Sequence, residues 1–96
     1  MGNIAFTWDR RKARSNLVKH GVSFEEAQTV FLDENARLID APDHSEEEER
    51  FVLLGYSFQA RCPIVDHCYR ESDSVIRLIS ARRAKALEEE EYWRLQ

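Results

Sequence analysis

The sequence contains only two cysteines and no apolar segment long enough to cross a bilayer. Its first residues also lack the apolar run of a secretory signal peptide, so we expect a cytosolic protein that does not insert into membranes. Cys62 and Cys68 lie in one apparent strand, which separates them by roughly 20 Å. Because this exceeds disulfide reach within the strand, both are predicted to be free, buried thiols.

Other absences remove the common enzyme classes. There is no glycine-rich phosphate loop, no serine, histidine and aspartate spacing typical of hydrolases, and no cluster of cysteine and histidine ligands. Cys62, His67 and Cys68 have the chemistry of zinc ligands, but strand alternation places them on two faces and a fourth ligand is missing. We therefore predict neither a metal site nor a cofactor.

Length and composition predict one folded domain over residues 1–96, because 43% of the residues are hydrophobic and 10% are aromatic. The net charge of −4 argues against a general nucleic-acid coat and against a repressor that binds DNA alone. The charge is segregated, however: residues 1–22 carry +4, 23–49 carry −9, 50–87 carry +4 and 88–96 carry −3. If the two basic segments meet in space, they form a positive patch able to bind a polyanion.

The first half of the chain carries clear helix boundaries. Asn3 to Trp8 has the character of a short strand, and Asp9 is a suitable N-cap for a helix from Arg10 to about His20. Gly21 supplies the stop, with basic residues in the last turn. Ser23 and Glu26 then match a capping box that opens a second helix.

The rest of the chain is predicted to be a sheet closed by a helix. The elements are a strand over 36–41, a turn over 42–45, strands over 50–58, 61–70 and 75–82, and a helix over 84–95. Short connections between the last three strands favour an antiparallel meander. The order β-α-α-β-β-β-β-α predicts an α+β fold with helices packed against an antiparallel-rich sheet.

The stretch from Val75 to Ala84 combines a β-branched run with two arginines at its end, Arg82 and Arg83. Guanidinium groups are planar, permanently charged and forked, so a rigid strand end that presents two of them suits a phosphate or carboxylate partner. The alternative, a strand end flanked by solvated charge, is equally consistent with the sequence.

Three motifs resemble the BrnT family of bacterial type II toxins. They are FTWDRRKARSNLVKHGVSFEEA at 6–27, PDHSEEEERFVLLG at 42–55 and RLISARRA at 77–84, in the family's order and spacing. The resemblance implies a small RelE-like ribonuclease fold and a metal-independent toxin that cleaves RNA and arrests translation. It also implies neutralisation by BrnA, an antitoxin with a ribbon-helix-helix DNA-binding part. The toxin would then reach DNA only through the antitoxin, in a complex that represses its own operon.

RNA is cleaved without metal when its own 2′-hydroxyl attacks the adjacent phosphate. The protein must then accept a proton, stabilise the phosphorane charge and protonate the leaving oxygen. The predicted catalytic residues are Arg82, Arg83 and Arg70 for charge, with His67 and His20 as proton carriers, since imidazole titrates near neutral pH. The predicted RNA-binding residues are Lys12, Asn16, Lys19, Arg50, Ser80 and Tyr92.

Several observations favour other interpretations of these residues. Lys19 and His20 also suit helix capping, and a histidine between apolar neighbours, as at His67, is typical of a core or rim residue. The last helix is commonly more basic in the family than the Glu88 to Glu91 run here, which places this helix in solvent or at the antitoxin interface. The rival function is a non-catalytic module that binds a ribbon-helix-helix regulator. The oligomeric state without antitoxin, a homodimer included, is left open.

Overall fold

A computed structural model describes residues 4–39, 49–70 and 74–94. The elements are β1 (Ala5–Thr7), α1 (Arg10–His20), α2 (Phe24–Thr29), a 3-10 turn (Val30–Leu32), β2 (Arg37–Ile39), β3 (Phe51–Leu54), β4 (Pro63–Arg70), β5 (Val75–Arg83) and α3 (Ala86–Arg94). The predicted α+β class and element order are confirmed. The predicted turn over 42–45 lies outside the described residues.

The strands form one five-stranded sheet in the order β1-β5-β4-β3-β2. The predicted antiparallel meander is present as β3, β4 and β5, and β2 extends it antiparallel to β3. At the other edge, β1 pairs parallel with β5, with Ala5 opposite Val75 and Thr7 opposite Arg77. Sequence patterns did not predict this pairing, because parallel partners need a long crossover that carries no local turn signal.

Each face of the sheet is covered by different helices. On one face, Leu53, Val65 and Leu78 pack against Phe24 and Val30 of α2 and the 3-10 turn in a buried core. On the other face, a smaller cluster contains Val52, Leu54, Cys62, Ile64 and Tyr92, the last contributed by α3. Since α3 is short, part of this second face stays open.

The boundaries of α1 are those that the sequence predicts. The Asp9 carboxylate accepts hydrogen bonds from the backbone N–H groups of Arg11 and Lys12, at 2.8 and 3.2 Å. Gly21 adopts the left-handed conformation, with φ at 70°, and its N–H donates to the carbonyl of Leu17. The helix therefore ends with His20 in its last turn.

The capping box at α2 is only half formed. The Ser23 hydroxyl accepts from the Glu26 N–H at 2.9 Å, as predicted. The Glu26 carboxylate, however, binds the Arg61 guanidinium and the Ser57 hydroxyl. Arg61 lowers the pKa of Glu26, and it also donates to the carbonyl of Gly21 at 3.0 Å. This buried network ties the connection between the first two helices to the β3–β4 loop.

Both cysteines are buried thiols that form no disulfide, as predicted. Burial raises the pKa of the Cys62 thiol to about 11. A thiol with such a pKa stays protonated at neutral pH and is a weak nucleophile. Within the described part of the chain, no helix has the length and apolarity required to traverse a bilayer.

Candidate active site

Asn16 of α1 fixes this helix against the open edge of β5. Because β1 pairs with β5 only from Val75 to Arg77, the later part of that edge is left for another partner. Asn16 supplies it: its amide nitrogen donates to the carbonyl of Ala81 at 2.8 Å, and its amide oxygen accepts from the Ala81 N–H at 3.0 Å. The side chain thus replaces one residue of a neighbouring strand.

The same amide nitrogen also donates to the carbonyl of Val22 at 2.9 Å, and Asn16 is buried. All of these hydrogen bonds go to backbone groups inside the protein, so the predicted role of Asn16 in binding RNA does not fit its position. Its role is to join the first basic segment of the chain to the second. The side chain of His20, one turn later, reaches the sheet face beyond this edge.

A cavity of about 400 Å³ lies on the part of the second sheet face that α3 leaves open. Strands β2, β3 and β4 supply an apolar floor. The polar lining side chains are His20, Asp66, Ser80, Arg82 and Glu88. Three of the predicted site residues, His20, Ser80 and Arg82, therefore come together in one place. They derive from two elements that are separated by some sixty residues of sequence.

A β-bulge decides which side chains of β5 reach the cavity. Asp66 of β4 is opposite Ser80, but the next residue of β4 is opposite Leu78, so Ile79 is the extra residue. Without the bulge, Leu78 and Ser80 would share a face. With it, Leu78 is buried in the main core while Ser80 and Arg82 turn toward the cavity.

Arg82 forms a bidentate ion pair with Glu88 from the first turn of α3. The two guanidinium nitrogens donate to the two carboxylate oxygens at 2.9 and 2.8 Å, and the Lys85 N–H adds a third hydrogen bond to Glu88 at 2.8 Å. Arg82 lowers the pKa of Glu88 to about 2. The pair shows that the guanidinium fork of Arg82 can hold two oxygens of an anion at the cavity wall.

Asp66 provides a second carboxylate in the cavity, which the sequence analysis missed. Its Oδ2 atom lies 3.5 Å from the Arg50 guanidinium. Burial raises the pKa of Asp66, and the positive charge of Arg50 offsets only part of that effect. Arg50, a predicted RNA-binding residue, therefore lies next to the cavity. The only available signal for Asp66 was its strand position, on the opposite face from His67.

His67 lies on the other side of the sheet. It is fully buried, and its ring packs edge-on against Phe31 with 4.9 Å between ring centroids. Its Nδ1 atom is 3.2 Å from the carbonyl of Val65, and burial lowers its pKa. This position matches the core alternative that the sequence left open, and it separates His67 from the cavity that contains Arg82.

The remaining predicted arginines do not line the cavity. Arg70 is opposite Val75, whereas Arg82 is opposite Ile64, so the two arginines lie at opposite ends of the β4–β5 hairpin, roughly 20 Å apart. Arg83 is exposed at the end of β5. Arg82 and Arg83 were predicted as a pair, but strand alternation sends their side chains in different directions.

Tyr92 is a structural residue in this fold. It is 4% exposed, and its hydroxyl donates to the Asp33 carboxylate at 2.8 Å. Burial and the adjacent charge of Asp33 raise the pKa of Tyr92 to about 12. The ring is therefore not available to stack on a base, contrary to its predicted RNA-binding role. Instead it anchors α3, and so positions Glu88.

A basic surface lies along the exposed side of α1. Lys12 and Lys19, both predicted to bind RNA, are exposed on this helix. A second, shallower depression is lined by Arg11, Arg14, Ser15, Val18 and Lys19. Arg11 and Arg14 were missed as candidates, although their spacing to Ser15, Val18 and Lys19 is the helical repeat that places residues on one side. Across residues 4–39, 49–70 and 74–94, no group of three potential metal-ligating side chains is found.

Comparisons with known proteins agree with this architecture. A search of curated protein sequences found no match. The 1.1 Å crystal structure of the Brucella abortus ribonuclease toxin BrnT has a similar fold, with a TM-score of 0.62 and 20% sequence identity over 88% of this chain and 99% of the toxin. The family described as the ribonuclease toxin BrnT of type II toxin–antitoxin systems matches residues 8–88. Because this match spans most of the chain, the protein belongs to the BrnT family of ribonuclease toxins.

Proposed function

We propose that this chain is a metal-independent endoribonuclease that cleaves RNA by attack of the 2′-hydroxyl on the adjacent phosphate and thereby inhibits translation. The observation that carries the proposal is the convergence of His20, Ser80 and Arg82 on one cavity of about 400 Å³. This cavity combines a cation, a hydroxyl and an imidazole, which are the groups that phosphate binding and proton transfer require.

Each of the three residues has a distinct role in this mechanism. Arg82 stabilises the negative charge that develops on the phosphorane, because its fork already holds two carboxylate oxygens of Glu88. The hydroxyl of Ser80 donates to a phosphate oxygen. His20 protonates the leaving 5′-oxygen, since it is exposed at the end of α1 and lines the same cavity.

The flanking RNA follows the basic surface of α1. Arg11, Arg14 and Lys19 lie on one side of this helix, and each can neutralise a phosphate. Arg50 and Lys12 supply further positive charge, at the cavity edge and on α1. The net charge of −4 does not oppose this arrangement, because the local field is set by the basic segments that Asn16 brings together.

The partner in this proposal is an antitoxin with a ribbon-helix-helix part, and the pair represses its own operon. The toxin contacts DNA only through that partner, and it acts on RNA in the cytoplasm. Membership of a type II toxin–antitoxin family supports a protein partner. The four consecutive glutamates from Glu88 to Glu91 support a contact with a basic protein segment on α3.

The proposal is tested by incubating the antitoxin-free protein with a defined RNA in excess chelator and analysing the product ends. We expect cleavage that leaves a 2′,3′-cyclic phosphate. Arg82→Ala combined with Arg83→Ala should lower the cleavage rate by about 100-fold or more, since one charge-stabilising donor accounts for about 100- to 1000-fold. Expression of the double variant should no longer arrest growth.

Arg94→Ala is the matched control, because Arg94 is exposed at the end of α3 and pairs only with its neighbour Glu91 among the described residues. It should cleave at the wild-type rate. Both variants should stay folded, because Arg82, Arg83 and Arg94 are partly or fully exposed and none of them belongs to a core cluster. Undiminished cleavage by the double variant would remove Arg82 from the mechanism.

A second candidate function is a non-catalytic module that binds the regulator. The observation in its favour is that Glu88 already satisfies the guanidinium of Arg82, as expected for a purely structural ion pair. Intact RNA, from protein shown to be folded, would favour this function.

A further inference from the structure

Asp66 is the group in the cavity that the mechanism above does not use. It lies on β4 directly opposite Ser80, and its side chain lines the same cavity as His20 and Arg82. Its side chain is 24% exposed. The Oδ2 atom is 3.5 Å from Arg50, whereas the buried Oδ1 atom has no hydrogen-bond partner in the part of the chain that the structure describes.

An unpaired carboxylate oxygen in a partly buried site has a clear physical consequence. The carboxylate loses water that would stabilise its negative charge, and it does not gain a full set of hydrogen bonds in exchange. It therefore has an increased affinity for a proton. The raised pKa of Asp66 agrees with this geometry. Such a group is a stronger base than an ordinary aspartate.

The elements around the cavity supply the groups that face Asp66. Arg50, next to β3, offsets part of the burial effect, and Arg82 of β5 adds a second positive charge. His20 comes from α1. Glu88 of α3 carries a negative charge, but Arg82 engages both of its oxygens. Asp66 is therefore the carboxylate of this cavity that is not held by a bidentate pair.

We propose that Asp66 is the general base that accepts the proton of the attacking 2′-hydroxyl, a role that rests on the proposed ribonuclease function. The 2′-oxygen bonds to phosphorus as its proton passes to the Asp66 carboxylate. The bond from phosphorus to the 5′-oxygen breaks, and this oxygen leaves with the electron pair and takes a proton from the imidazolium of His20. The products are a 2′,3′-cyclic phosphate and a 5′-hydroxyl. Proton exchange with water then restores both side chains.

The test uses two matched RNA substrates, one with the normal 5′-oxygen leaving group and one with sulfur at that bridging position. A thiolate leaves without protonation, so the sulfur substrate needs the base but not the acid. Asp66→Asn should lower kcat by about 100- to 10,000-fold with both substrates. His20→Gln should lower it with the oxygen substrate and have little effect with the sulfur substrate.

The pH dependence gives a readout that a structural role would not change. In the wild-type protein, the ascending limb of the kcat profile should rise tenfold per pH unit below the pKa of Asp66, because the base acts in its ionised form. This ascending limb should persist with the sulfur substrate and disappear in Asp66→Asn. Glu25→Gln, which changes an exposed carboxylate of α2, is the control and should retain the wild-type rate and profile.

The outcomes separate this inference from the function on which it rests. Wild-type cleavage that Asp66→Asn leaves unchanged would overturn the role of Asp66 and retain the ribonuclease. Recovery of the Asp66→Asn rate with the sulfur substrate would make Asp66 an acid and also overturn the proposal. If Asp66→Asn fails to fold, the pH profile of the wild-type protein with the sulfur substrate decides the question. A wild-type kcat that does not rise with pH on this substrate would overturn the role of Asp66. Wild-type protein that cleaves neither RNA would overturn both proposals.

Discussion

Replacing Asn16 by alanine tests whether one buried amide holds the two basic segments together. The change removes three hydrogen bonds and leaves the N–H and carbonyl of Ala81 and the carbonyl of Val22 without their partner. A buried polar group that loses its partner costs about 1–3 kcal/mol. Alanine regains about 0.5 kcal/mol through its higher helix propensity. Since water can enter and satisfy part of the exposed edge, we expect a net loss of about 3–5 kcal/mol.

Urea denaturation followed by tryptophan fluorescence measures this loss directly. Because the slope of unfolding free energy for a small domain is about 1–3 kcal/mol per molar urea, the midpoint should fall by about 1–5 M. Ser15→Ala is the matched control, since Ser15 is exposed on the same helix, and its free energy of unfolding should stay within about 0.5 kcal/mol of wild type.

Asn16→Asp separates the hydrogen bonds from simple packing. Aspartate retains an oxygen that can accept from the Ala81 N–H, but it loses both donations and places a negative charge beside two carbonyls. We expect Asn16→Asp to be at least as destabilised as Asn16→Ala at neutral pH. A loss below 1 kcal/mol in both variants would refute the argument that Asn16 joins α1 to β5.

Two further predictions concern α3 and its partners. Tyr92→Phe keeps the ring but removes the hydroxyl that donates to Asp33, and we expect it to lower the free energy of unfolding by about 1.5–3 kcal/mol in thermal denaturation. A wild-type melting temperature would show that this hydrogen bond does not anchor the helix. Because Arg82 depresses the pKa of Glu88 to about 2, the stabilisation from this pair is present above the ordinary value of 4.5 and is lost as the pH falls toward 2. The difference in urea midpoint between wild type and Glu88→Gln should therefore be largest above pH 4.5 and shrink on acidification; a difference independent of pH would contradict the assigned ion pair.

Local signals in the sequence were sufficient for the order of the elements, although the strand predicted over 50–58 is only Phe51–Leu54. The Asp9 cap and the Gly21 stop predicted α1 at its observed bounds because both act within one or two turns of backbone. The antiparallel meander followed in the same way, from short connections between β-rich segments. The capping box at Ser23 was only half correct, because Glu26 gains more from a buried ion pair with Arg61, thirty-five residues away, than from its own helix end.

The residue types of the candidate site were also available from the sequence, since His20, Ser80 and Arg82 could be named in advance. Their grouping could not, because it depends on contacts between distant segments. Strand alternation alone predicted that the side chains of His67 and Asp66 lie on opposite faces of the sheet. It did not predict which face has an open cavity. Tyr92 had the chemistry of a base-stacking residue, yet the Asp33 carboxylate engages its hydroxyl.

The sequence by itself determined the family, the element order and the inventory of cationic and proton-carrying groups, because these depend on local pattern and composition. Only the tertiary structure decided which of those groups lie together. Asn16 completes the open edge of β5, and the bulge at Ile79 turns Ser80 and Arg82 toward the cavity. Burial then removes His67 from the cavity and leaves Asp66 within it. These choices follow from unsatisfied backbone groups and strand register, which are properties of the assembled sheet.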